Sequence, residues 1–345
     1  MTDQEAYMKR CLQLAKLAAG YTAPNPMVGA VLVHEGKIIG EGYHAYYGKA
    51  HAEVNCIQSV HERDHSKISS ATLFVSLEPC AHFGKTPPCA DLIIEKEIPH
   101  VVVGCRDPSE LVNGRGIEKL ITAGIKVDQG LLEKECIELN RRFFTFNRKK
   151  RPFILLKWAQ SFDGYIGKKT SRQIISSEMT NRLTHKWRSE ESAIMIGPNT
   201  ALQDDPALTV RYWKGAQPVR ILIDMNLRLP SKLRVFNFPG RIIIFNGKKE
   251  ISTGQVEYIK LDLSKDLISQ LNHKLFELNI QSVLVEGGAH LLQSFLDEGT
   301  WDEARVIMNR NMHLGDGIRA PSLHHGKLAR QESIDTDLIQ YFLPD

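Results

Sequence analysis

Three short groups of residues carry the strongest chemical signal: His51-Ala52-Glu53, Pro79-Cys80 and Cys89. An imidazole and two thiolates form a donor set for zinc, and three protein ligands leave one tetrahedral position open, the layout of a catalytic site. Such a metal lowers the pKa of bound water to about 7, which makes a nucleophile at neutral pH. Glu53, two residues from the histidine, is placed to move protons rather than to ligate. Read singly, each residue fits a buried thiol or an unrelated helix-start histidine better than a metal ligand. Read together, at the boundaries of predicted elements, they point to a metal.

The elements that must position them follow from periodicity. Val28–His34 and Lys37–Gly42 read as a strand pair around Glu35-Gly36, and His51–Val60 as a helix. Ala71–Leu77 is an apolar, β-rich run leading to Cys80. Cys89–Glu97 reads as the next helix, so both thiols are expected near helix N-termini, where the dipole favours thiolate. His100–Gly104 and Ile125–Asp128 read as strands, and Ile117–Ala123 and Leu131–Phe146 as helices. The first segment is a capped helix rather than a leader: Thr2 and Glu5 fit a capping box, and acidic residues precede Lys9 and Arg10.

The basic run Asn147–Arg151, followed by Pro152, interrupts the pattern and reads as a solvated linker or a phosphate-binding arm. Two domains are expected, residues 1–147 and 148–345. The second repeats the α/β alternation, with strands at Phe153–Lys157, Ala193–Gly197, Val219–Asp224, Arg241–Phe245, Ser282–Glu286 and Ala304–Met308. Its helices are expected at Ser177–Glu190, Leu267–Leu278 and Ala289–Asp297. Glu286-Gly287-Gly288 ends a strand and opens a helix, which suits a phosphate or a plain turn. No G-x-G-x-x-G follows a strand, so a Rossmann site is not supported.

Composition narrows the class. The chain has 345 residues, six cysteines, none beyond Cys136, and a net charge of +4. Residues 1–150 carry 19 basic and 18 acidic side chains, which makes them no nucleic-acid platform. Six thiols in this length are no disulfide scaffold, and no apolar run approaches the roughly 20 residues of a membrane span. A cytoplasmic protein with reduced thiols is expected.

His-x-Glu with Pro-Cys and a later Cys is the signature of zinc-dependent nucleobase deaminases. Its usual second half is Pro-Cys-x-x-Cys; here Ala81 to Pro88 separate the two cysteines. That loop either offers His82, Lys85 and Thr86 beside the metal, groups suited to a substrate phosphate, or is an ordinary surface loop.

Longer motifs carry a family resemblance. The chain resembles the bifunctional riboflavin biosynthesis family, a diaminohydroxyphosphoribosylaminopyrimidine deaminase fused to a 5-amino-6-(5-phosphoribosylamino)uracil reductase. The motifs are APNPMVGAVLV at Ala23–Val33, HAEVNC at His51–Cys56, LEPCAHFGKTPPC at Leu77–Cys89, KWAQSFDGYIG at Lys157–Gly167, DDPALTVR at Asp204–Arg211 and VEGG at Val285–Gly288. The resemblance implies an N-terminal cytidine-deaminase-like αβα domain followed by a dihydrofolate-reductase-like α/β domain. It implies hydrolytic deamination at zinc on His51, Cys80 and Cys89 with Glu53 catalytic, then reduction of ribosyl to ribityl by NADPH. Asn25 and His44 match base-pocket positions, although Asn25 between two prolines also suits a turn. Ala159, Thr200, Asp204 and Gly288 match cofactor contacts; Arg188, Leu208, Arg211 and Glu286 match substrate contacts. Lys157, paired with Asp163, would either polarise the sugar or serve structure.

The expected partners are small phosphorylated pyrimidines and further copies of the chain, with neither nucleic acid nor membrane. The alternative is a nucleic-acid or nucleotide deaminase with a non-catalytic C-terminal accessory domain, which predicts salt-dependent nucleic-acid affinity.

Overall fold

The computed structural model describes residues 2–83, 87–169 and 171–345. The chain divides into two compact units between Lys150 and Arg151.

The first unit contains α1 (Asp3–Lys16), β1 (Gly29–His34), β2 (Lys37–Tyr43), α2 (Ala52–Gln58), β3 (Thr72–Leu77), α3 (Cys89–Glu95), β4 (His100–Cys105), α4 (Arg115–Thr122), β5 (Lys126–Gln129), α5 (Glu133–Leu139) and α6 (Arg141–Lys149). The expected capping box closes α1: Thr2 Oγ1 accepts the Glu5 N–H, and the Glu5 carboxylate accepts the Thr2 N–H. The sheet runs β2-β1-β3-β4-β5, with β3, β4 and β5 parallel and β1 antiparallel to both neighbours. Side chains alternate between its faces. Ala30, Leu32, Leu73 and Val75 pack with Ala52, Cys56, Ile93 and Leu120. Val31, Val33 and Phe74 pack on the other side with Met8, Cys11, Cys136 and Phe143. Helices thus cover both faces, and the carboxyl ends of β3 and β4, where such sheets bind ligands, stay open. The helix expected over Leu131–Phe146 is broken at Asn140, which leaves the helical region at φ −103° and ψ 21°.

The second unit contains β6 (Phe153–Ser161), β7 (Tyr165–Gly167), α7 (Glu178–Glu190), β8 (Ala193–Ile196), α8 (Pro198–Asp204), β9 (Val219–Ile223), β10 (Ile242–Asn246), β11 (Ile251–Thr253), β12 (Val256–Lys260), α9 (Leu267–Glu277), β13 (Ser282–Glu286), α10 (Ala289–Asp297), β14 (Glu303–Asn309), β15 (Ile318–Arg319), β16 (Lys327–Ile334) and β17 (Asp337–Leu343). Its main sheet runs β11-β12-β10-β9-β8-β13-β6-β14-β17-β16. The stretch from β12 to β14 is parallel, and β8, β10 and β13 within it are almost continuously apolar because both faces are buried. α9 and α10 bring Leu271, Leu275, Leu292 and Phe295 to one face, and α7 brings Trp187 to the other.

The basic run is solvated at residues 148–150, where the two units divide, but it is not a linker throughout. Its first three residues, Asn147–Lys149, continue α6. Arg151 is half-buried in a two-point ion pair with Asp302, whose Oδ2 also accepts the Ile154 N–H. The carboxylate satisfies both the guanidinium and one amide at the start of β6, which fixes where the second sheet starts.

Candidate functional site

In the first unit the open strand ends gather the residues expected there. His51 is the N-cap of α2, which puts Glu53 in its first turn. Cys80 follows β3, and Cys89 is the first residue of α3. His51 Nδ1 lies 3.5 Å from Cys80 Sγ and 3.3 Å from Cys89 Sγ, and the three donor atoms fall within 4.8 Å of one another. The Cys89 N–H donates to Cys80 Sγ at 3.3 Å, so the start of α3 faces that sulfur. Hydrogen bonding from Cys89, then His51, holds the Cys80 thiol down at about 4, against the opposing effect of burial. One nitrogen and two sulfurs suit zinc, and no fourth protein donor completes the cluster among the described residues.

Glu53 is 3% exposed, and burial, reinforced by Cys80, raises its carboxyl to about 7. It lines a cavity of about 380 Å³ together with Asn25, His44, His51, Cys80 and His82. His44 Nδ1 meets the Ala50 carbonyl at 3.0 Å, so that nitrogen carries the proton. Its Nε2 then accepts from Asn25 Nδ2 at 3.1 Å, and burial lowers the ring's pKa, consistent with this neutral form. Asn25 is therefore oriented, with its carbonyl oxygen left to accept from a ligand. His82 is exposed at the cavity rim. Lys85 and Thr86 lie outside the described residues.

Sequence reasoning missed Glu78, next to the Pro79-Cys80 motif. It is 4% exposed, and its carboxylate accepts the N–H groups of Asp107, Gly114, Gly116 and Ile117. A Cβ on Gly116 would stand 1.8 Å from the Pro79 carbonyl, so only glycine allows this approach. The LEPC string was the available signal, because a glutamate between an apolar strand and a proline has no solvated face to occupy.

In the second unit Lys157, Ala159, Arg188, Thr200, Asp204, Leu208, Glu286 and Gly288 line one cavity of about 510 Å³. Lys157 and Glu286 are direct neighbours on β6 and β13. Arg188 reaches Glu286 from α7 through Nε–Oε1 and Nη2–Oε2 bonds of 2.7 Å. The Arg188 fork is thus engaged by a carboxylate and is not a solvated helix face. Burial would raise the Glu286 carboxyl, but Arg188 and Lys157 overcome it and hold it at about 2. Burial lowers the Lys157 pKa, opposed by Glu286 and assisted by Arg188. Gly287 and Gly288 both have positive φ, at 92° and 77°, ahead of α10. A Cβ on Gly288 would sit 3.1 Å from Thr200 Oγ1, so the missing side chain keeps a narrow cradle open at a helix start. That cradle fits the phosphates of a dinucleotide.

Two expectations for this site change. Arg211 does not line the cavity; it is exposed, its N–H donates to His185 Nδ1 and its guanidinium rests on Thr209 Oγ1. Asp163 is not a partner of Lys157. Its carboxylate accepts from Ser161 Oγ and from the Leu314 and Gly315 amides, which pins a loop.

The αβα unit with its His-Cys-Cys site has the layout of a zinc-type deaminase, joined to a second α/β unit with a cavity of its own. A family model described as the cytidine and deoxycytidylate deaminase zinc-binding region matches residues 1–105, and one described as the RibD C-terminal domain matches residues 152–332. The chain is 43% identical to the riboflavin biosynthesis protein RibD of Aquifex aeolicus over 97% of both chains. It is 36% identical to that of Escherichia coli K12 over 89% of this chain and 87% of the relative. The crystal structure of a deaminase/reductase from Thermotoga maritima superposes with a TM-score of 0.90 at 38% identity, covering 99% of each chain. Acinetobacter baumannii RibD does so at 0.90 and 30%, again over 99% of each. The chain belongs to the RibD family, the bifunctional deaminase–reductases of riboflavin biosynthesis. Its domains are cytidine-deaminase-like and dihydrofolate-reductase-like, in that order. The nucleic-acid deaminase alternative is not favoured, because the second half is itself a RibD reductase domain. No helix among the described residues is long and apolar enough to cross a membrane.

Proposed function

We propose that the first site uses zinc to hydrolyse the exocyclic amine of the diaminohydroxyphosphoribosylaminopyrimidine that the Thermotoga relative is named for. The second site uses NADPH to reduce 5-amino-6-(5-phosphoribosylamino)uracil, turning its ribosyl group into ribityl. The observation that carries the proposal is the convergence of His51 Nδ1, Cys80 Sγ and Cys89 Sγ beside the buried Glu53.

Zinc, when bound by these three residues, acts as a Lewis acid and acidifies water. Glu53 takes a proton from the attacking water and returns one to the leaving amine, so water and the amine become a carbonyl and ammonia. Asn25, fixed by His44, reads the pyrimidine edge. His82, Lys85 and Thr86 take the phosphate.

NADPH, when bound, supplies the hydride. Ala159, Thr200, Asp204 and Gly288 hold it, with the glycine cradle receiving its phosphates. Lys157 keeps a proton beside the ribosyl oxygen, which must gain one as the ring opens. Glu286 and Arg188 fix that ammonium, while Leu208 completes the substrate contacts. A reducing, cytoplasmic setting and a homo-oligomeric state belong to the same proposal.

The test is product identification. Incubation with the diaminopyrimidine phosphate alone is expected to release ammonia and stop at the uracil. Added NADPH is expected to be consumed and to yield the ribityl product. Ammonia release absent from folded, zinc-loaded protein would refute the first activity, and unchanged NADPH with the uracil supplied would refute the second.

A further inference from the structure

Asn140 stands at the break between α5 and α6 and is 2% exposed. Its carboxamide makes two hydrogen bonds to one residue, 113 positions away. Oδ1 accepts the Met27 N–H at 2.8 Å, and Nδ2 donates to the Met27 carbonyl at 2.8 Å. This is the service a neighbouring strand gives, supplied by a side chain. A carboxamide carries a donor and an acceptor in one planar fork, and an aspartate of the same size has acceptors alone.

Met27 closes the segment Pro24-Asn25-Pro26-Met27. The two prolines have no N–H, so few backbone donors are available to fix this stretch. The Asn25 N–H donates back to the Thr22 carbonyl at 2.8 Å. The Met27 amide, the first beyond Pro26, goes to Asn140. Downstream, the His44 N–H donates to the Val28 carbonyl at 3.0 Å, and the Gly29 N–H donates to Ser76 Oγ at 3.1 Å. Asn140 is therefore the clasp nearest to Asn25 on its C-terminal side. It also begins α6, whose Phe143 and Asn147 line the same cavity as Asn25. One side chain sets two walls of that cavity against each other.

We propose that Asn140 is a positioning residue of the deaminase: by clasping Met27 it holds Asn25 where it meets the pyrimidine edge. This rests on the reading of Asn25 as a base contact. The contact exists in ground and transition states alike, so its loss appears mainly in KM.

The test uses the full-length zinc enzyme and steady-state deamination by Asn140→Asp, Asn25→Ala and the double variant. Asn140→Asp is expected to raise KM about tenfold, with kcat within about twofold, zinc content retained and NADPH-dependent reduction unchanged. Asn25→Ala is expected to raise KM as well, and the double variant to be no worse than Asn25→Ala, because Asn140 acts through Asn25. A wild-type KM in Asn140→Asp, or effects that multiply in the double variant, would overturn the role of Asn140. A wild-type KM in Asn25→Ala overturns the base-contact reading and the proposal with it. If Asn140→Asp is recovered without zinc, Asn140→Ser, which keeps one hydroxyl to bond Met27, is measured against the same outcomes.

Discussion

Arg188 and Glu286 clasp each other through two parallel bonds of 2.7 Å inside the reductase cavity, with side chains only 12% and 10% exposed. Arg241 and Glu257 form a pair of the same shape, with bonds of 2.7 and 2.9 Å, at 37% and 30% exposure. The difference lies in solvent, not geometry. Removing one partner of a buried pair strands a charge and costs about 3–5 kcal/mol, whereas an exposed pair contributes about 0–1 kcal/mol. Arg188→Ala should therefore lower the denaturant midpoint far more than Arg241→Ala, and only Arg188→Ala should also raise KM for the uracil substrate. Equal destabilisation by the two variants would contradict the role given to burial.

Zinc should depend on particular cysteines. Cys80→Ala is expected to drop metal content from about one ion per chain to near zero and to abolish deamination. Cys105→Ala, at a buried thiol that donates to the Ser76 carbonyl, is expected to keep the metal. Elemental analysis of purified protein decides. Full zinc retention by Cys80→Ala would remove the assignment.

Asp163 makes the loop at Leu314–Gly315 sensitive to acid. Ser161, then the Gly315 and Leu314 amides, lower its carboxyl from the ordinary 3.8 to about 2. A depressed folded-state pKa adds stability above the unfolded value, and that stability is lost as pH falls towards 2. Wild type should therefore melt above Asp163→Asn at pH 5, and the gap should close between about pH 4 and pH 2. A gap that stays constant over this window would show the carboxylate charge to be irrelevant.

Gly288→Val should act on the cofactor site alone. Its φ of 77° disfavours a β-branched side chain, and the added Cβ would press on Thr200. KM for NADPH is expected to rise at least about tenfold, with deamination unchanged. Normal NADPH kinetics would argue against the cradle.

The candidate metal ligands were readable in the sequence because Cys80 and Cys89 fall at element boundaries and each such residue type admits few roles. β1, β3, β13 and α10 were readable because their apolar periodicity is undisturbed. Polar residues that bond distant backbone were not. Asn140 looks like any solvated asparagine until Met27 is brought alongside by the fold, and the LEPC string marks Glu78 as unsolvated without showing that the amides near Gly116 are its partners. Arg151 read as linker because its partner, Asp302, lies 151 positions away. The β16–β17 hairpin escaped notice since β16 is almost wholly exposed and lacks an apolar stripe. The Arg188 fork was identified by type, but its occupant, Glu286, is a contact between α7 and β13 that no local pattern encodes.

The central claim is that one chain holds two chemically independent sites, and Glu53→Gln tests it most directly. The variant should bind zinc, release no ammonia from the diaminopyrimidine phosphate, and reduce the supplied uracil with NADPH at the wild-type rate. Retained deamination, or reduction lost from folded, zinc-loaded protein, would contradict the account.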